Sequence, residues 1–381
     1  MFVCAFWTFI YLLHIRNSHE SRKILLGFMF TATCLYFGHF IVFNHIKSLI
    51  PVTDTLYSFS TLSVYPIFYI YIISLTGKVR PAHWLILVPG LVIAGVIGVC
   101  YALMTPETSD SFIRHCLYER GGCAADAAGR ISVIAHIVLK YVILLQIIYV
   151  LPAGYKRLNA FKRRVGEYFS NTRHRDLREI RILLLLFVIT SCLSVIADVI
   201  GRAYFVDSIA RVLVVLVPFS VMLFSIGYAG FVQKFNIDDL LAEINPAAEE
   251  CVPESVENED ETIQDEARIR LAEQIERLVC DEKLFLQSDL KLSDISSKLC
   301  TNRTYVYEAM KAASGTGYSS FTDYINKHRI EYAKELLQNA DKDMNVENIM
   351  FECGFASKTT FYKNFKKFTG KTPKEYLNDL K

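Results

Sequence analysis

The stretch GFASKTTFYKNFKKFTGKTP, residues 354–373, decides how the C-terminal part of this 381-residue chain folds. Phe361, Phe365 and Phe368 recur at three- and four-residue steps, which places them on one face of a helix. Lysines occupy the other faces, and the stretch contains no acidic residue. One side of this helix is therefore expected to pack into a core, while the other is cationic and suits phosphate groups.

A shorter apolar helix is predicted just upstream. Val346, Ile349 and Met350 share a helical face, and the helix should close at Cys353-Gly354. A short helix, a glycine turn and a basic helix are the layout of a helix-turn-helix unit.

The residues from Gly354 to Tyr376 resemble the signature of AraC/XylS-type bacterial transcription regulators. The shared pattern begins with Gly-Phe, followed by Ser or Thr before a pair of aromatic residues. It continues with Phe-Lys-Lys, an aromatic residue, Thr-Gly and Lys-Thr-Pro, and it ends with Glu-Tyr. The resemblance covers roughly the last hundred residues. It implies two helix-turn-helix units that enter successive major grooves on one face of duplex DNA, about one helical turn apart.

Four further helices are predicted ahead of this second unit. An apolar stripe from Ile263 to Leu278 indicates a helix that either caps the DNA-binding domain or pairs with a second copy, and the resemblance favours the cap. A first helix-turn-helix unit runs from a short helix at 290–299 to a helix at 303–313, with Asn302 as N-cap. A longer helix at 321–338 resembles the connecting helix of the family.

The resemblance assigns DNA contacts position by position. Base contacts fall on Arg303, Thr304, Tyr307, Ser357, Lys358, Thr360, Tyr362 and Lys363. Arg bridges guanine acceptors, and Ser or Thr serves as donor or acceptor, so these side chains suit direct readout. Phosphate contacts, which position the protein without specifying sequence, fall on Lys366, Lys367 and Lys371. Glu308 and Ala309-Met310 depart from the basic and Leu-Phe residues usual at those places.

The first 235 residues contain long uncharged apolar runs, and hydrophobic residues make up 52% of the whole chain. A helix needs about 20 apolar residues to cross about 30 Å of hydrocarbon. Seven spans are predicted, the first of them short: Phe2 to Ile15, Ile24 to Phe43, Leu56 to Leu75, Trp84 to Met104, Ile131 to Leu151, Ile182 to Ile200 and Ile209 to Phe231. A cleavable signal peptide is the alternative for the first, although no basic n-region precedes it.

Basic residues concentrate in the first, third and fifth loops between these spans. The positive-inside rule therefore places these loops and the C-terminus in the cytoplasm, and the N-terminus outside. The fifth loop, Pro152 to Arg181, is the most basic. It is read as a solvated topology determinant, with binding of nucleic acid or anionic lipid as the alternative.

Polar residues inside the spans indicate a signal site. Ser132, His136 and Lys140 are spaced by four and line one face of the fifth span, and Asp198 lies near the outer end of the sixth. Ionisable groups at such depth are costly and should face the bundle or a wet cavity. We predict a polar outer-leaflet cavity bordered by His136, Lys140 and Asp198; an internal ion pair that only fixes helix packing is the alternative.

The cysteines show no CxxC or Cys/His spacing typical of metal sites, so no metal, redox pair or other cofactor is predicted. Cys116 and Cys123 lie in the longest external loop, where they either close a disulfide or remain thiols. An acidic passage with Pro246 and Pro253 and no basic residue before Arg268 predicts an extended tether. The tether either acts only as a spacer, or its acidic residues bind the basic domain in competition with DNA.

These patterns predict an all-α protein: a seven-helix transmembrane sensor at 1–235, an acidic linker at 236–262 and a double helix-turn-helix domain at 263–381. The predicted protein is a non-enzymatic, one-component transcription regulator of the bacterial inner membrane. Its partners are double-stranded DNA, the lipid bilayer, a second copy of the chain, and a small or lipidic ligand or membrane partner. The alternative is a transporter-like or enzymatic membrane domain with a DNA-binding reporter.

Overall fold

The computed structural model describes most of the chain, and its described residues are almost entirely helical. These residues are 1–17, 19–44, 46–118, 126–172, 175, 177–200, 204, 209–233, 237, 240–241, 261–313, 318, 320–339 and 346–379. The chain divides into two compact units. The N-terminal unit comprises Met1–Asn159 and Leu177–Ile237, and the C-terminal unit comprises Ala160–Asp176 and Asp238–Lys381.

The N-terminal unit is built from long apolar helices. They are α1 (Phe2–Leu13), α2 (Glu20–Phe43), α3 (Ile50–Thr76), α4 (Val88–Leu103), α5 (Pro106–Phe112), most of α6 (Ala127–Tyr168), α7 (Arg178–Ile200) and α8 (Ile209–Val232). Within the described residues, six helical stretches are long and apolar enough to cross a membrane, and α1 is shorter. The predicted count of seven spans therefore stays a prediction.

Helix α1 packs inside this unit. Its Trp7 and Tyr11 are buried, and the Tyr11 hydroxyl donates a 2.7 Å hydrogen bond to the carbonyl of Gly227 on α8. Gly227 has to be small, because a Cβ there would overlap the Trp7 ring. The short first helix thus belongs to the core of the N-terminal unit.

The C-terminal unit contains two small cores. Its helices are α9 (Glu261–Asp281), α10 (Leu292–Lys298), α11 (Arg303–Ala313), α12 (Phe321–Gln338), α13 (Val346–Glu352), α14 (Lys358–Thr369) and α15 (Pro373–Asp379). One core joins α9, α10, α11 and the start of α12 around Ile275, Val306 and Phe321. The other joins the end of α12 with α13 and α14 around Phe361 and Phe365. The second half of the predicted 263–278 stripe packs as a cap, because Ile275 is fully buried in the first core, whereas Ala267 in its first half is exposed.

Helix α6 does not end at Leu151, where the fifth span was predicted to stop. It continues through Pro152 to Tyr168, so the reading of 152–181 as a solvated loop is wrong for its first half. The reason lies in an apolar stripe that sequence reasoning missed: Leu158, Phe161 and Val165 follow at three- and four-residue steps and are all buried. The basic residues between them, Lys162 and Arg164 among them, are exposed, so their role as a topology determinant stays a prediction. Proline removes one donor at the start of this extension, but the buried stripe stabilises the helix beyond it.

Candidate nucleic-acid interface

Helix α14 is held in place by both of its ends and by its apolar face. The Ser357 hydroxyl accepts a 3.3 Å hydrogen bond from the amide of Thr360, which is an N-cap. Gly370 ends the helix with φ +77°, the left-handed conformation favoured by glycine. Phe361 and Phe365 are fully buried, as the three- and four-residue spacing predicted.

The turn before α14 depends on Gly354. Its φ of +77° is a conformation that other residues adopt with strain, and a Cβ would overlap the carbonyl oxygen of Leu286. The carbonyl oxygen of Phe285 lies only 3.0 Å from the same point. Glycine therefore lets the second helix-turn-helix approach the 3₁₀ turn Leu284–Leu286 that follows α9.

Opposite the buried phenylalanines, α14 presents exposed lysines. Lys363 and Lys366 make no ion pair within the described residues. Lys358 lies 2.6 Å from a Glu347 oxygen, and Lys367 lies 2.7 Å from an Asp323 oxygen. The hydrogen bond to Glu347 raises the pKa of Lys358. A phosphate can compete for the two paired lysines, because both ion pairs are at the surface.

The remaining predicted contacts of the second unit differ in exposure. Thr360 is exposed, and Lys371 is exposed and lies 2.7 Å from an Asp379 oxygen. Ser357 is half-buried and engaged as the cap, and Tyr362 is half-buried against the second core. Thr360 and Tyr362 lie on α14 and Ser357 is its N-cap, whereas Lys371 lies between α14 and α15. Ser357 and Tyr362 also stabilise the fold, as the cap and as part of the core packing.

The first unit has the same construction with a different surface. Asn302 caps α11 as predicted, since its side-chain oxygen accepts a 2.9 Å hydrogen bond from the amide of Thr304. Ala309 and Met310, which depart from the family pattern, are core residues. Thr304 is exposed, whereas Arg303 and Tyr307 are half-buried. Glu308 lies 3.6 Å from Arg268 of α9.

Residues of the predicted fifth loop pack against this first unit, which sequence reasoning did not foresee. The Thr322 hydroxyl lies 3.0 Å from the carbonyl oxygen of Gly166 and 2.5 Å from that of Phe169. The amide of Ser170 donates a 3.0 Å hydrogen bond to the carbonyl of Leu290. Phe169 is buried, so this segment is part of the C-terminal unit rather than a solvated loop.

A bidentate ion pair fixes the end of the same segment. The Arg175 guanidinium donates hydrogen bonds of 2.7 and 2.9 Å to the two carboxylate oxygens of Asp289, and it lies 4.5 Å above the Phe169 ring. These hydrogen bonds lower the pKa of Asp289. Paired geometry of this kind is directional as well as attractive. We call residues 160–172 together with Arg175 the docking segment from here on.

The docking segment reaches a predicted base contact. Tyr168 packs against the cluster that includes Tyr307 of α11. Burial and the nearby Glu167 carboxylate raise the pKa of Tyr307. A residue expected to face DNA thus lies beside a tyrosine and an acidic side chain of the docking segment.

Arg329 of α12 is the buried polar centre of the C-terminal unit. Its guanidinium donates 2.6 Å hydrogen bonds to the carbonyls of Phe285 and Gln287, and it lies 3.4 Å from the Ser170 hydroxyl. It also lies 5.5 Å from the centre of the Phe355 ring. Burial lowers its pKa to about 10, which still leaves it charged at neutral pH. One side chain therefore ties α12 to the segment between α9 and α10, to the turn of the second helix-turn-helix unit and to the docking segment.

In the N-terminal unit, His136 has a partner that the sequence did not indicate. Its Nε2 lies 3.0 Å from Oδ2 of Asp54, and the Tyr101 hydroxyl donates a 3.0 Å hydrogen bond to the same oxygen. Asp54 is almost fully buried. Lys140 lies on an exposed side of α6, and the side chain of Asp198 lies outside the described residues, so the predicted cavity stays a prediction. Cys123 lies outside them too.

Comparison with known proteins agrees with this geometry. Residues 295–379 match the family model described as a helix-turn-helix domain. An uncharacterized HTH-type transcriptional regulator of Staphylococcus aureus is 33% identical over 102 residues, which are 26% of this chain and 13% of that protein. The Msm operon regulatory protein of Streptococcus mutans is 28% identical over 93 residues, 24% of this chain and 32% of that protein. No solved structure matches.

The C-terminal part of this chain therefore contains a helix-turn-helix domain of the AraC type. The matched segments are 13% and 32% of the relatives' own length, so the comparison concerns this domain.

Proposed function

We propose that this chain is a membrane-anchored transcription regulator whose C-terminal unit binds double-stranded DNA in the bacterial cytoplasm. The observation that carries the proposal is the lysine face of α14, which stands opposite two buried phenylalanines and beside a capped N-terminus. A rigid helix with one cationic side is the element that a helix-turn-helix domain places in a major groove. In this proposal Lys363 joins the base contacts, and Lys366, Lys367 and Lys371 bind phosphates.

Salt dependence of DNA binding tests this assignment. Each lost phosphate contact should lower the slope of log affinity against log salt by about 0.9. We expect that decrease for Lys366→Ala in the full-length, detergent-solubilised protein on its own upstream DNA. Lys334→Ala, a lysine of α12 paired with Glu331 at 2.6 Å, is the matched control and should leave the slope unchanged. An unaltered slope for Lys366→Ala would refute its phosphate contact.

The outward surface of the N-terminal unit supports the membrane anchor. Leu91, Leu145 and Val214 are each more than 60% exposed, although they lie within apolar helices. An exposed apolar surface of this kind is stable in hydrocarbon and unfavourable in water. We place the N-terminus outside and the C-terminal unit in the cytoplasm. A C-terminal tag that proves accessible from outside intact cells would overturn this orientation.

For sensing, we propose that the signal acts at the buried Asp54–His136 pair. A buried carboxylate within a membrane helix is costly unless it is paired, and such residues commonly mark functional sites. His136 lies on α6, the helix whose C-terminal end is the start of the docking segment. A shift of this helix would therefore change the contacts of the docking segment with the first helix-turn-helix unit. A small or lipidic ligand or a membrane partner would supply the signal.

We further propose that the docking segment opposes DNA binding by the first unit. The half-burial of Tyr307, with Tyr168 packed on the same core, supports this direction, because a base cannot reach a side chain that the segment covers. Release of the segment would free the first unit to bind alongside the second. Two chains side by side would then fill a two-half-site operator more readily.

A further inference from the structure

Three side chains with metal-binding atoms converge between α9 and α12. Glu276 and Cys280 lie four residues apart on α9, so they share one face of that helix. His328 comes from α12, 48 residues beyond Cys280 in the chain. The ligand atoms of the three residues all lie within 4.8 Å of one another.

The separations fit a tetrahedral ion. Cys280 Sγ lies 3.7 Å from Oε1 of Glu276 and 3.7 Å from Nδ1 of His328. Zinc binds sulfur at about 2.3 Å and nitrogen or oxygen at about 2.0–2.2 Å, which at tetrahedral angles sets ligand atoms about 3.5 Å apart. The two distances from the sulfur exceed this value by about 0.2 Å, and the oxygen and the nitrogen lie within 4.8 Å of each other, so an ion would draw the Glu276 and His328 side chains closer together.

Neighbouring side chains orient the ligands. The Tyr324 hydroxyl donates a 2.7 Å hydrogen bond to Oε2 of Glu276, which leaves Oε1 facing the thiol. The His328 ring packs edge-on against Tyr324 at 4.7 Å and stacks on Phe285 at 6.2 Å. Its buried Nε2 has no hydrogen-bond partner within the described residues, but it lies 3.6 Å from Oε2 of Glu276. Nδ1 is the ring nitrogen that faces the thiol, so Nδ1 is the nitrogen that would bind the ion.

We propose that Glu276, Cys280 and His328 form a binding site for a divalent transition metal of the zinc type, with water as the fourth ligand. A thiolate, an imidazole and a carboxylate together suit zinc or cobalt and not magnesium or calcium, which prefer oxygen ligands. The Glu276 side chain is 54% exposed, which gives an ion access from solvent, whereas His328 is only 15% exposed.

The ion would fasten α9 to α12, the helix that connects the two helix-turn-helix units. Because it binds the folded arrangement, it would stabilise the C-terminal unit by mass action. The linear spacing of the cysteines predicts no such site, since its ligands come from two helices that only the fold brings together. The site is independent of DNA binding, so failure of either proposal leaves the other standing.

Cobalt is a direct probe of the thiolate ligand. We expect the metal-free, full-length protein in detergent to bind one Co²⁺ per chain with a sulfur-to-cobalt charge-transfer band, and one equivalent of Zn²⁺ to remove it. Cys280→Ala should abolish the band. Cys300→Ala, which removes an exposed cysteine of the same unit, should retain it. A band that survives in Cys280→Ala would overturn the site.

Alkylation provides a readout that needs no cysteine variant. Zinc should slow alkylation of Cys280 more than tenfold, as measured by mass spectrometry of its peptide, while Cys300 in the same molecules reacts at an unchanged rate. His328→Gln should remove this protection. Equal alkylation of Cys280 with and without zinc, or full protection in His328→Gln, would refute the proposal.

Discussion

Replacing Gly354 by alanine should destabilise the second helix-turn-helix more than the same change at Gly370. Both glycines have φ +77°, so alanine meets the same left-handed strain at each position, about 1–2 kcal/mol. Their surroundings differ. A Cβ at Gly354 would overlap the carbonyl oxygen of Leu286, whereas a Cβ at Gly370 would meet nothing within 4 Å.

The overlap sets the expected difference. Forcing extra volume into a packed site costs about 1–3 kcal/mol, so Gly354→Ala should cost about 2–5 kcal/mol in total and Gly370→Ala about 1–2 kcal/mol. Alanine also restricts the unfolded chain, which stabilises both variants by similar amounts and therefore cancels in the comparison.

Hydrogen exchange of the α14 amides in the full-length protein measures the free energy of opening directly. A difference of about 1–3 kcal/mol corresponds to exchange about 5- to 150-fold faster in Gly354→Ala than in Gly370→Ala. If the two variants exchange at the same rate, the contact with Leu286 does not constrain the turn, and the reasoning about close approach is wrong.

Three further predictions concern the docking segment and the two buried polar centres. Arg175→Ala breaks the ion pair to Asp289, and we expect the full-length protein to bind DNA several-fold more tightly, as measured by fluorescence anisotropy. The control, Arg178→Ala, removes an exposed charge at the start of α7 and should leave the affinity unchanged. Weaker DNA binding by Arg175→Ala would show that the docking segment favours DNA binding. Arg329→Met removes the hydrogen-bond donor to the buried carbonyl of Phe285. The free energy of opening of α12, measured by hydrogen exchange, should therefore fall by about 2–4 kcal/mol. If the α12 amides of the variant exchange as slowly as in the wild type, water replaces the guanidinium. Asp54→Ala removes the carboxylate that the Tyr101 hydroxyl and the His136 imidazole contact. The N-terminal unit of the detergent-solubilised protein should therefore unfold at a lower temperature. An unchanged melting temperature would show that the Asp54–His136 pair does not stabilise the fold.

The spacing of apolar residues in the sequence predicts much of the secondary structure of the C-terminal unit. The helix bounds 303–313 and 321–338 were predicted as observed, and the buried phenylalanines of α14 follow from their spacing. Helix caps were equally readable, since Asn302 and Gly354 act through their own backbone neighbours. Local patterns succeed in these places because the interactions that fix them span only a few residues.

Long-range pairing could not be read in the same way. Thr322 meets the carbonyl of Gly166, 156 residues away, and His136 meets Asp54, 82 residues away. The basic composition of the fifth loop indicated a solvated segment, but a buried stripe within it extends α6 into the C-terminal unit. Charge counting missed this because a few buried apolar side chains outweigh many exposed lysines and arginines in deciding where a helix continues.

The sequence by itself determined the class of each half: apolar runs long enough for a bilayer, and a basic helix with one apolar face in a helix-turn-helix domain. Only the tertiary structure decided which distant side chains share a site, among them Glu276 and Cys280 with His328. The physical reason is the distance along the chain between the residues that interact. Helix formation and burial depend on neighbours within a turn or two, whereas a docking contact or a metal site depends on the packing of whole helices against one another.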